Sequence, residues 1–290
     1  MSEIIKNIFA PQLSFEGQNN TDKFTKLFCD LYRIELFKDG LDLIATKTAQ
    51  KDITFEVKII KGWDTNLGCY LTEQNKTYNK IFGTFSSSIK KKIILRQLTH
   101  NLMAHEMAHA WDFEGGLNIG EKDPILGEEF RKSIGLDMKN REPQNIALKG
   151  EIKRLMVDAL RVYPEHQFIS ELFARYFELL SMSRNVRSSG NFTTAEVMDF
   201  FANTTNFIEK KFNPKIRSKI DPKITAHTIE VAKQVKLLGE EKKFQEKVDS
   251  FHQKSQDPQN KSSSWSKNVK SNANWQKGWN KYQEIQDDKK

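Results

Sequence analysis

The spacing of apolar positions along this chain switches from helical to alternating and back, and the switches mark out its elements. Residues 1–20 carry no period and read as an irregular arm. From a cap signal at Asn20, Thr21 and Asp22, the apolar residues Phe24, Leu27, Phe28, Leu31 and Tyr32 recur at helical spacing. They predict a helix that packs on a sheet and ends at Gly40. Short β-like runs follow at Leu41–Ala45, Ile53–Ile60, Gly68–Leu71 and Ile81–Ser87, separated by Gly, Asn and Asp turns. They predict a small antiparallel or mixed sheet, mainly antiparallel, before the central helix. The stretch Ile93–Phe113 is then apolar around nearly its whole circumference, as a helix buried in the middle of a domain would be.

Gly115 and Gly116 stop that helix, and a loop with Gly120, Asp123, Pro124 and Gly127 is expected after it. A helix from Pro143 to about Val162 turns Ile146, Leu148, Ile152, Leu155, Met156 and Leu160 inward, and Tyr163 and Pro164 break it. Further helices are predicted at 166–183 and Thr194–Phe212, with Ser189 and Gly190 between them. Asp221 and Pro222 cap a long charged helix to roughly Lys247. From Ser255 onward the chain is Ser, Asn, Gln and Lys with scattered Trp, which cannot bury enough apolar surface to fold alone. The expected organisation is an α+β domain over residues 1–220, a charged helix over 221–254 and a disordered tail over 255–290.

Composition narrows the class. The hydrophobic content of 38% suffices for a core because the polar residues concentrate at the end of the chain. Cys29 and Cys69 offer neither a disulfide framework nor a metal cluster. The first residues lack the apolar core of a signal peptide, and no stretch has the length of a membrane span, so a cytoplasmic chain is expected, with export by a signal-independent route as the other possibility. The net charge of +8 is spread along the sequence and is modest for 290 residues. Trp265, Trp275 and Trp279, interleaved with Lys267, Lys270, Lys277 and Lys281, could stack on single-stranded nucleic acid; a disordered tail that docks or directs export is the preferred reading.

The chemistry lies in the buried central helix, which reads His105-Glu106-Met107-Ala108-His109. Residues four apart share a helix face, so both imidazoles can reach one metal ion. Glu106, turned about 100° from His105, can touch a water on that ion. Core histidines bonded to backbone are the bland alternative, but two imidazoles and a carboxylate on one apolar helix need a partner, and a divalent cation suits all three. A catalytic zinc takes three protein ligands. Glu171, inside the apolar run FISELFARYF, is the best third; otherwise Glu171, Arg175 and Glu178 form a solvated stripe. His100 sits off the ligand face.

MAHEMAHAWD followed by SELFARYFELL resembles the gluzincin metallopeptidases, in particular the lethal-factor-like group. The resemblance implies a zincin-like fold, Zn2+ held by His105, His109 and Glu171, Glu106 as general base, and Asp112 as a carboxylate that orients an imidazole. It also implies a protein or peptide substrate, laid as an added strand along Ile81–Ser87, and an oxyanion donor just before the glutamate helix, Tyr163 or His166. The chain departs from that group in carrying Arg175 where a second acid is usual, beside the ligand. Two other readings compete. SprT-like DNA-associated proteases share HEMxHA, but Leu126 stands where their later histidine would be. The other is a non-catalytic zincin-fold effector or binding module.

Overall fold

The computed structural model describes residues 13–14, 18–57, 68–79, 84–116, 124–133, 145–163 and 167–256. Its contacts divide the chain into two units, residues 1–236 and 237–290. The first unit is mostly helical with a small mixed sheet, an α+β arrangement. The described part of the second is the helical run over residues 237–256.

Helix α1 (Gln18–Leu31) presents the predicted apolar face, and Phe24 meets Phe55 of the sheet edge-on at 5.0 Å between ring centroids. It ends earlier than expected, before a 3-10 turn at Glu35–Phe37. Gly40 does not end a helix; it lies within α2 (Lys38–Ala49), which also takes up the stretch Leu41–Ala45 expected as a strand. Gly40 through Thr46 are all buried, so this helix has no polar face and hence no helical period to read.

The sheet has the order β1-β2-β4-β3, with β1 at Leu13–Ser14, β2 at Ile53–Val57, β3 at Gly68–Asn79 and β4 at Thr84–Leu95. Only β3 and β4 pair antiparallel; β2 runs parallel to both β1 and β4. The sheet is therefore mixed, and its longest pairing, β3 with β4, is antiparallel. Ile93–Leu95, expected as the start of the central helix, close β4, where β-branched Ile93 and Ile94 suit a strand and Ile93 and Leu95 point into the core. The pairing of β4 with β2 covers only Lys91–Leu95, so Thr84–Ser87 of the expected edge run pair with β3 alone among the described residues, and Ile81 itself lies outside them. The edge strand beside β4 is β3.

Helix α3 (His100–Gly115) begins where the Thr99 side chain accepts from the Leu102 amide and ends at Gly116, whose φ of 70° suits glycine. Residues 124–131, expected as loop, form α4 (Pro124–Arg131). Helix α5 (Ile146–Val162) is capped by Asn145, whose side chain accepts from the amides of Ala147 and Leu148; Pro143 lies outside the described residues. Helix α6 (Phe168–Met182) packs against α3. Beneath the pair, Trp111 stacks on Phe212 at 4.8 Å and meets Phe177 edge-on at 4.9 Å.

The helix expected over Thr194–Phe212 is broken into α7 (Thr194–Phe200), α8 (Ala202–Phe207) and a π-turn at Ile208–Phe212. Glu129 of α4 accounts for the break. Its buried carboxylate accepts from the Asn203 and Thr204 amides and caps α8. After α9 (Asn213–Ile216), α10 runs from Pro222 to Gln256, past the expected end near Lys247, and its first residues bury Thr228 and Val231. The tail over 257–290, with Trp265, Trp275 and Trp279, lies outside the described residues. No helix among the described residues is long and apolar enough to cross a membrane.

Candidate metal centre

Helices α3 and α6 bring His105, His109 and Glu171 together. His105 Nε2 lies 3.2 Å from Glu171 Oε1, His109 Nε2 lies 3.3 Å from Glu171 Oε2, and the two Nε2 atoms are 3.2 Å apart. Ligands about 2.05 Å from a tetrahedral zinc stand about 3.3 Å from one another; the two imidazole nitrogens have that spacing, each has it to one oxygen of Glu171, and one atom from each of the three residues lies within 4.8 Å of the others. Glu171 Oε1 is buried and receives no aligned hydrogen bond, although His105 Nε2 is so near. An orphaned buried oxygen is costly, and a shared cation would satisfy it together with both nitrogens. The residues present therefore fit a divalent metal.

The charges point the same way. Glu106, Glu171 and Glu178 are each 4% exposed, and Arg175 is the cation packed against two of them. Burial disfavours a charged His105, but the facing Glu171 and Glu178 outweigh it and hold its pKa up at about 9. Burial likewise pushes Glu171 up, yet the His105 and His109 rings pull it well below the usual carboxylate range. The cluster calls for positive charge on the His105 side, which a proton or a divalent cation supplies. Glu106 stands outside the ligand trio, and burial raises its carboxyl, with Glu171 adding to the rise and the imidazoles opposing it.

Glu171 and Glu178 are too deeply buried for a solvated stripe. Asp112 is buried on α3, the Glu178 carboxylate lies 3.5 Å from His105 Nδ1, and Ser170 Oγ is 3.4 Å from His109 Nδ1. Glu178 is fixed from two sides: Arg175 Nη1 contacts its Oε2 at 2.6 Å and Asn101 Nδ2 donates to its Oε1 at 3.4 Å. Arg175 also reaches back, its Nε 3.4 Å from Glu171 Oε1. Glu178, Ser170 and Asn101 were not singled out for these contacts by sequence. Glu178 lies seven residues from Glu171 in an apolar helix, which was the available signal.

Tyr163 is half-buried beside the cluster; burial and then the Glu171 carboxylate raise its phenol, which is directed at Glu171. His166 lies outside the described residues. His100 faces Asp30 at 3.0 Å, away from the trio. Leu126 is buried apolar core in α4, and Glu129 is committed to the α8 cap, so the segment that a SprT-like site would use offers no ligand there. No protein family, curated protein or solved structure matches the chain.

Proposed function

We propose that the chain is a zinc-dependent endopeptidase of gluzincin type with a zincin-like catalytic domain. The observation that carries this reading is the convergence of His105 Nε2 and His109 Nε2 on each other and on the two oxygens of Glu171, with Glu106 next to the trio and outside it. His105, His109 and Glu171 would hold the ion. Zinc bound there supplies a Lewis acid for a peptide carbonyl and lowers the pKa of water.

The protein's own groups do the rest. Glu106 accepts the proton of the attacking water and delivers it to the leaving amine, a task suited to a carboxyl whose pKa is raised by burial. Tyr163, directed at the cluster, donates to the oxygen that gains charge as the carbonyl is attacked. Glu178 and Ser170 keep the imidazoles turned so that both Nε2 atoms face inward. An extended substrate would pair along the edge of β3 and run past the cluster.

One feature weighs against a non-catalytic module: Glu106 is buried at a cost in desolvation energy without being one of the candidate ligands. The test is cleavage of a diverse peptide library by zinc-loaded wild type and Glu106→Gln. Cleavage by the first alone supports the reading, and cleavage by neither, with zinc bound to both, favours the binding module.

A further inference from the structure

After its first turn, helix α3 is buried at every position except His109, which is partly exposed, and Phe113, one turn beyond it, which is 47% exposed. Positions 109 and 113 lie within a narrow arc of the helix, so Phe113 continues the side from which the candidate metal centre meets solvent. It is the one aromatic among the large hydrophobic residues that the described structure leaves most exposed; the others are Ile146, Ile229 and Leu237.

The ring is held in place. Tyr70 of the edge strand β3 packs against it at 5.6 Å with the planes tilted by 56°, and Lys91 Nζ of β4 stands 5.5 Å from its centroid. Both partners are anchored in turn by the buried Glu114, which accepts from the Tyr70 hydroxyl at 3.0 Å and pairs with Lys91 at 2.6 Å. An exposed ring fixed by two neighbours presents apolar area without the entropic cost of ordering it on binding. One helical turn is about 5.4 Å, between one and two residues of extended peptide.

Resting on the proposed peptidase reading, we propose that Phe113 forms the wall of a substrate side-chain subsite between the metal centre and β3. The subsite takes an aromatic or large aliphatic residue one or two positions from the scissile bond. Lys91 is engaged by Glu114, so the subsite selects by apolar contact and not by charge. Phe113 is then a specificity-determining residue.

Binding of two zinc-chelating hydroxamates to the full-length zinc-loaded protein tests this without requiring turnover. Acetohydroxamate carries no side chain, and 3-phenylpropanohydroxamate carries a ring within reach of Phe113. The expected result is roughly fivefold or more tighter binding of the phenyl compound to wild type. Phe113→Ala should abolish that difference and leave acetohydroxamate binding within about twofold, and Phe113→Leu should retain part of it. Equal binding of the two compounds by wild type overturns the subsite alone, as does an equal loss of both in Phe113→Ala. Binding of neither compound, with no zinc retained, overturns the metal-centre reading and the subsite with it.

Discussion

Glu178 Oε2 lies 3.5 Å from His105 Nδ1, across the ring from the Nε2 atom that faces Glu171. The two are not aligned as a hydrogen bond, but a carboxylate at that distance favours a proton on Nδ1 and so leaves Nε2 the better donor to a cation. Glu178→Gln is therefore expected to lower zinc affinity by about 10–100-fold. Competition against a chromogenic chelator measures this, with thermal melts of the metal-free proteins as the control for folding. Unchanged affinity would remove Glu178 from the centre.

Tyr163→Phe should leave zinc affinity close to wild type and lower kcat by about 10²–10³-fold, the usual loss for one donor to a developing oxyanion. Steady-state kinetics on any peptide found to be cleaved will decide it. A rise in KM with kcat intact would instead mark Tyr163 as a substrate-binding group.

Gly40→Ala should destabilise the fold by about 1–3 kcal/mol. A Cβ at Gly40 would sit 2.5 Å from the Trp111 ring, which is wedged between Phe212 and Phe177 and cannot retreat. The gain in helix propensity, at most about 1 kcal/mol, does not offset that overlap. Chemical denaturation gives the sign and size.

Asp42 provides a pH dependence of stability away from the site. Burial raises its pKa from 3.8 to about 6, with the Tyr32 hydroxyl at 3.1 Å from Oδ2 opposing the rise only in part. A raised folded-state value contributes stability that is complete below pH ~4 and lost as pH climbs through ~6. Asp42→Asn should accordingly be more stable than wild type at pH 7.5 by about 2–3 kcal/mol, with the gap closing near pH 4. Paired calorimetric scans at the two pH values would reveal a constant gap if Asp42 does not titrate in this way.

The trio was legible because its information is local: the i,i+4 histidines share a helix face wherever that helix packs, and Glu171 is conspicuous in an apolar run. Which carboxylate stands behind His105 is not local. It depends on α3 and α6 crossing so that Asn101 meets Glu178 while His109 meets Ser170. The same distinction separates α1 and α5, whose one-sided burial leaves a period, from α2, which is buried along most of its length and lost it. The polar strands β3 and β4 gave little signal in sequence, and the parallel pairing of β2 with β4 is a matter of topology that spacing does not encode. The break before α8 depends on a cap from Glu129, some 74 residues away.

Metal content after exhaustive dialysis, measured on wild type beside His105→Ala, Glu106→Gln and Glu171→Ala, tests the central claim most directly. The account predicts about one zinc per chain in wild type and in Glu106→Gln, and almost none in the other two. Full zinc in Glu171→Ala, or none in wild type supplied with the metal, would contradict it.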